Sequence, residues 1–264
     1  MAGRLAGKVA IVTGAGSRGP GLGNGKATAM LFAREGARVL CVDMVKERAE
    51  ETLGLIRDEG GEADAFAADV TRADDCRAMV AAAVERWGGL DVLHNNVGIE
   101  SRTDLLETTE EEWDQTLRVD LTSMFLAIKS AVPALAARGS GSVICVSSVA
   151  GMRGVGRTAY AAAKAGVIGL VRSVAGQLGP QGIRVNSVAP GHIWGESLKW
   201  YFSYLAKKRG VDADSIYAET AANIDLGRLP EPDEIADAVL FLASPLARAI
   251  TGQCLDVNCG EYHH

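Results

Sequence analysis

The sequence predicts an α/β fold, a doubly wound parallel sheet with helices on both faces. Three observations predict it. Short β-rich runs alternate with longer helical patterns over the whole chain. A glycine cluster stands between the first strand and the first helix. No linker, internal repeat or low-complexity segment interrupts the alternation, so residues 1–264 read as a single domain. Parallel strands joined by right-handed crossovers follow from that order.

The elements come in sequence. Strand Val9–Thr13 leads through the glycine cluster into a helix over Gly25–Glu35, which Gly36 stops. Strand Arg38–Asp43 precedes a helix over Lys46–Glu59, stopped by Gly60. Strand Ala63–Ala67, helix Asp74–Trp87 and strand Asp91–His94 continue the pattern. One long helix is predicted over Glu110–Ala137, opened by a capping box of Thr109 and Glu112. Strand Ser142–Ser147, helix Ala159–Leu178, strand Arg184–Val188, helix Pro232–Ala243 and strand Cys254–Val257 complete it. The stretch from 192 to 226 breaks the alternation and reads as an insertion over one end of the sheet, a substrate lid.

Composition narrows the function. The 264 residues are 48% hydrophobic and 23% charged, with net charge -6, which disfavours nucleic acid and anionic membranes as partners. No signal peptide or membrane span is expected. The five cysteines show no Cys-x-x-Cys pairing, as expected of reduced thiols in a cytoplasmic enzyme. No metal-ligand spacing appears, and His263 and His264 are given no role.

The motifs carry the chemistry. Tyr160 and Lys164 are four apart in an Ala-rich stretch and share one helix face. A phenol beside a fixed cation favours its phenolate and can exchange a proton with an alcohol. The cluster Gly14-Ala15-Gly16-Ser17-Arg18-Gly19-Pro20-Gly21-Leu22-Gly23-Asn24-Gly25 lets the backbone approach a pyrophosphate at a helix N-terminus. A P-loop reading fails, since Ala27 replaces the required Ser/Thr and Pro20 stands where the first Gly should be. A hydrolase reading lacks a Gly-x-Ser-x-Gly elbow. Asp43 ends the second strand, about 20 residues past the glycine turn, where an acid accepts ribose hydroxyls and repels a 2′-phosphate; NAD is expected over NADP. Arg18 could instead approach a 2′-phosphate.

Together these pieces resemble the short-chain dehydrogenase/reductase family over nearly the whole chain. The motifs are Thr13-Gly14 with Gly23 and Gly25, Asp69-Val70, Asn95-Asn96-Val97-Gly98, Ser147-Ser148, Tyr160-x-x-x-Lys164, Asn186 and Pro190-Gly191. The resemblance implies a seven-stranded Rossmann-type sheet, NAD(P)-dependent hydride transfer and a homotetramer. It makes Tyr160 the acid/base and Lys164 its modulator and a donor to the nicotinamide ribose. Ser148 becomes the residue that orients the substrate oxygen, with Ser147 its close rival. Gly14, Ser17, Gly23, Asn24 and Gly25 resemble the cofactor turn, Asp69 and Val70 the adenine contacts, Asn96 and Gly98 the turn after the fourth strand, and Ile193 the backbone contact to the carboxamide.

Three departures stand out. The glycine turn carries about five extra residues, Arg18 to Leu22. Asp120 replaces the family's Asn; a carboxylate there either partly neutralises Lys164 or replaces the amide as a water acceptor. Gly195 replaces a Thr, for which Ser197 is a candidate substitute.

Of the chain's 4 Trp, 5 Tyr and 5 Phe, Trp194, Trp200, Tyr201, Phe202, Tyr204 and Tyr217 crowd one segment. They either line an apolar pocket or pack the lid. Lys207-Lys208-Arg209 either meets an anionic substrate or ends a helix, and His192 is a weak candidate substrate contact. The expected activity is NAD-dependent interconversion of an apolar or cyclic secondary alcohol and its ketone. The alternatives are 3-oxoacyl-thioester reduction and a non-catalytic NAD sensor.

Overall fold

The computed structural model describes residues 3–17, 19 and 21–263. Arg18, Pro20 and His264 lie outside the described residues.

Seven parallel strands form one sheet: β1 (Val9–Thr13), β2 (Arg38–Asp43), β3 (Glu62–Ala67), β4 (Val92–Asn95), β5 (Gly141–Val146), β6 (Ile183–Pro190) and β7 (Cys254–Val257). Their spatial order is β3-β2-β1-β4-β5-β6-β7. The winding reverses between β1 and β4, which pair with Thr13 opposite Asn95. Such a switch point opens a crevice at the C-terminal strand ends, where ligands of open α/β sheets bind.

Strand alternation feeds two cores. On one face Val9 and Ile11 of β1 pack with α3 (Ala73–Trp87), α5 (Ser123–Ala137) and α6 (Thr158–Leu178), through Met79, Met124 and Val167. On the other, Ala10 and Val12 pack with α1 (Asn24–Arg34), α2 (Lys46–Asp58) and α9 (Pro232–Ala243), through Phe32, Ile56 and Val239. At the edge remote from the crevice, Asp91 accepts from the Val9 N–H at 2.9 Å and pairs with Lys8 and Arg138. Burial pushes its carboxyl up, but these partners more than reverse the effect, and it titrates below the ordinary aspartate range.

Gly36 (φ 84) and Gly60 (φ 80) follow α1 and α2 in the left-handed region, as the sequence predicts. Three features differ. The helix predicted over Glu110–Ala137 is broken into α4 (Glu110–Leu117), a π-helical turn (Arg118–Thr122) and α5. By length and composition alone that run could cross a membrane, yet Met124, Ala127, Ile128, Ala131 and Leu135 lie in the core. Only half of the expected capping box forms: the Thr109 hydroxyl accepts from the Glu112 N–H at 3.2 Å. A reciprocal box appears at α9, between Glu231 and Glu234.

The third difference is the stretch from 192 to 226, expected as a lid, which holds two helices, α7 (Glu196–Arg209) and α8 (Ala213–Ala221), around a small core of their own. Trp194 meets Tyr217 edge-on at 4.6 Å and Phe202 at 5.6 Å, so these rings pack the lid itself. Trp200 and Tyr204 stack at 6.0 Å on its exposed side. Lys207, Lys208 and Arg209 form the last turn of α7, a favourable place for cations, and Arg209 pairs with Glu219.

Candidate active site

The crevice is built from the ends of β1 and β4. Gly14 turns at φ 63, which a side chain resists. A Cβ on Gly25 would collide with the Gly14 carbonyl and lie 2.6 Å from Asn96 Nδ2, so this glycine lets α1 close on the strand end. Asn96 locks the turn: its Nδ2 donates to the Gly14 carbonyl at 3.1 Å, and its N–H donates to the Thr13 hydroxyl at 3.2 Å. Gly23 caps α1 without a side-chain hydrogen bond, and Asn24 is the first helical residue. The Ser17 hydroxyl is buried and has no hydrogen-bond partner among the described residues; it faces Gly23, where a Cβ would sit 3.4 Å away. An orphaned hydroxyl beside an open helix N-terminus fits a phosphate group.

Asp43 ends β2 with its carboxylate over this turn. It accepts from the Gly16 N–H at 3.2 Å and the Val45 N–H at 3.0 Å. At the end of β3 the Asp69 carboxylate accepts from both the N–H and the hydroxyl of Thr71, making a loop turn. The Val70 side chain is buried in the core and its carbonyl accepts from the Cys76 thiol, so its contribution to a ligand is limited to backbone. Ile193 follows β6, its carbonyl bonded to the Gly195 N–H at 2.8 Å. Gly195 caps α7 and Ser197 is exposed in its first turn. Asn186 is structural: it is fully buried and bonds the Ile250 carbonyl and the Gln253 N–H.

The Tyr160–Lys164 pair opens α6. Lys164 Nζ lies 5.5 Å from the Tyr160 ring centre, as the i, i+4 spacing requires. Its side chain is 3% exposed. It donates to the Val146 carbonyl at 3.1 Å and lies 3.2 Å from Asp120 Oδ2, whose side chain is 0% exposed. The other Asp120 oxygen accepts from the Ile99 N–H at 2.8 Å. The π-helical turn delivers Asp120 to this position; such turns gather at functional sites. Gly98 leaves the room, since a Cβ there would lie 3.1 Å from Lys164 Nζ. An ammonium has three donors, so two protein partners leave one for a ligand.

The two serines separate cleanly. Ser147 is 1% exposed and its hydroxyl donates to the Lys164 carbonyl at 2.8 Å, which braces α6. Ser148 is half-buried and accepts from the Ala150 N–H at 3.2 Å, which leaves its own proton to donate. Three contacts escaped the sequence. Glu261 bonds both Arg153 and His192. The Arg102 guanidinium lies 4.2 Å over the Tyr201 ring, joining the loop after β4 to α7.

Known proteins are similar to this chain over nearly its whole length. A family profile described as enoyl-(acyl carrier protein) reductase matches residues 21–262. The chain is 39% identical over 259 residues to a 3-oxoacyl-acyl-carrier-protein reductase of Thermotoga maritima, covering 97% of this chain and 98% of the relative. It is 41% identical over 265 residues to trans-4-hydroxycyclohexanecarboxylate dehydrogenase of Sinomonas cyclohexanicum, covering 98% and 94%. A crystal structure assigned to the short-chain dehydrogenases/reductases, from Burkholderia xenovorans, superposes with TM-score 0.92 at 38% identity, covering 98% of each chain. The chain belongs to the short-chain dehydrogenase/reductase family and is an NAD(P)-dependent oxidoreductase acting on CH–OH groups.

Proposed function

We propose that the protein interconverts a cyclic secondary alcohol and its ketone, with NAD as the preferred coenzyme. The observation that carries the reading is the buried Lys164 ammonium, set one helical turn from Tyr160 and turned toward the crevice-side Gly98. In this reading Tyr160 takes the alcohol proton, Ser148 donates to the substrate oxygen, and Lys164 holds the Tyr160 phenolate and the ribose. When bound, the dinucleotide supplies the hydride acceptor. Ser17, Gly23, Asn24 and Gly25 would hold its pyrophosphate, Asn96 keeping Gly14 in place. Asp43 would take the adenosine ribose, Asp69 and Val70 the adenine, and Ile193 the carboxamide through backbone. A 2′-phosphate would meet the Asp43 carboxylate, which supports NAD over NADP. Ring substrates are supported by the similarity to the cyclohexanecarboxylate dehydrogenase. A homotetramer, tested by sedimentation, belongs to the same reading.

A second reading, reduction of a 3-oxoacyl thioester, is favoured by the similarity to acyl-carrier-protein reductases. One assay separates them. NADH formation is followed with trans-4-hydroxycyclohexanecarboxylate and NAD, and NADH and NADPH consumption with acetoacetyl-CoA. The expected outcome is turnover of the ring alcohol with NAD, abolished at least about 10³-fold in Tyr160→Phe. Faster turnover of acetoacetyl-CoA transfers the activity to the second reading. Tight NADH binding without turnover of either substrate would mark a sensor.

A further inference from the structure

The crevice is flanked by two segments that lie beyond the ends of β5 and β6. One runs from Val149 to Arg157, between Ser148 and Tyr160; the other follows the end of β6, from Gly191 to Trp194. The first is weakly determined by its own backbone. Beyond its 3-10 turn (Val149–Gly151) it contains Gly154 and Gly156, and Arg157 adopts φ 54 in the left-handed region.

Both segments converge on one carboxylate from the far end of the chain. The Glu261 side chain is 5% exposed. Its Oε1 pairs with the Arg153 guanidinium and lies 3.0 Å from His192 Nδ1. Its Oε2 accepts from the His192 N–H at 2.8 Å, and its backbone carbonyl accepts from Arg153 at 3.3 Å. A Cβ on Gly191 would collide with Oε2, so the neighbouring glycine is what admits the carboxylate. The hook that carries Glu261 is itself fixed. Asn258, 5% exposed just beyond β7, accepts from the Glu261 N–H at 3.0 Å and donates to the Tyr262 carbonyl at 3.0 Å. The Tyr262 hydroxyl donates to the Met152 carbonyl at 3.3 Å.

We propose that Glu261 is a positioning residue, which acts through Arg153 and His192 to hold the two segments on either side of the substrate in register. A buried carboxylate with two cationic or hydrogen-bonding partners is rigid in a way that a surface pair is not. Burial alone would push the carboxyl up; the His192 hydrogen bond and the charges of His192 and Arg153 reverse that, and it titrates below the ordinary glutamate range. The inference rests on the enzymatic reading above, because Ser148 and Tyr160 bracket the first segment.

The experiment compares wild type, Glu261→Gln, Glu261→Ala, Arg153→Ala and the Glu261→Ala/Arg153→Ala double variant. Steady-state oxidation of trans-4-hydroxycyclohexanecarboxylate is measured with NAD, and the NADH Kd by fluorescence. A misplaced reacting group costs up to about 10²-fold, so kcat/KM should fall about 10–100-fold in Glu261→Ala. Glu261→Gln should recover part of the loss, since its amide oxygen still accepts from the His192 N–H. The NADH Kd should rise less than kcat/KM falls, because Ile193 of the second segment would meet only the carboxamide while the glycine turn and Asp43 would still hold the rest of the dinucleotide; a generally loosened fold would lose both alike. The double variant should be no worse than the poorer single one, as for residues acting through one contact. Wild-type kcat/KM in Glu261→Ala, or additive losses in the double variant, would overturn the proposal. Amide exchange keeps the two readings apart. Faster exchange at His192 and at 149–157 in Glu261→Ala is expected whether or not the wild type turns over. A wild type inactive on this alcohol sinks the cyclic-alcohol reading, and unchanged exchange in that case sinks the role of Glu261.

Discussion

Asp120 shows how one residue sets the electrostatics of the crevice. Its carboxylate stands 3.2 Å from Lys164 Nζ, with neither side chain appreciably exposed, so the ammonium divides its field between Asp120 and Tyr160. Replacing the carboxylate by an amide frees that field. In Asp120→Asn the rising limb of the oxidation rate–pH profile should move to lower pH; a limb that stays in place refutes the account. His94 carries a different consequence. It is 0% exposed in β4, and burial lowers its pKa to about 4. The unfolded chain takes up a proton near pH 6.5 while the folded chain does not. Stability is therefore full above that pH and declines as pH falls toward 4, by about 3 kcal/mol at the limit. Denaturant midpoints of His94→Val should lose much less between pH 7 and pH 4.5 than those of wild type. The placing of Tyr160 beside Lys164 was legible because the i, i+4 spacing is local. Glu261 was not: it meets Arg153 across 108 residues, and no periodicity ties an acid near the chain's end to a loop arginine.

At the scale of elements, the hydrophobic pattern located every strand to within two residues and left the helix over 110–137 unbroken. The π-helical turn escaped because no Gly or Pro marks it; Val119 and Leu121 continue the apolar pattern while Asp120 is turned inward. The two helices of the 192–226 stretch escaped because their apolar residues face a small private core, apart from the strand–helix alternation that located the others. The junction of β1 and α1 shows what an element boundary demands. Gly25→Ala drives a methyl into backbone, where no side chain can yield. The variant should lose about 1–3 kcal/mol in urea unfolding and at least about 10-fold in NADH affinity, because α1 must shift from the strand end. Full NADH affinity would show that the helix start is not held as described.

For the whole molecule, strand–helix alternation was enough to foresee parallel strands with helices on both faces; the seven strands came with the family resemblance, and the two cores and the switch point between β1 and β4 came only with the structure. How the 192–226 stretch sits against the loop after β4 lay beyond the pattern, because contacts such as Arg102 on Tyr201 join segments far apart in sequence. The same is true of the enlarged glycine turn. Gly21, at φ 100, presses so closely on the first residue of α7 that a Cβ would collide with Glu196 Cγ. In the proposed reading the coenzyme pocket and the alcohol entrance would share this wall, and a dinucleotide seated against one side would shape the doorway on the other. Loading should then follow a compulsory sequence, coenzyme leading and alcohol trailing. Product-inhibition patterns would reveal it: NADH competitive against NAD alone, and the ketone competitive against neither substrate.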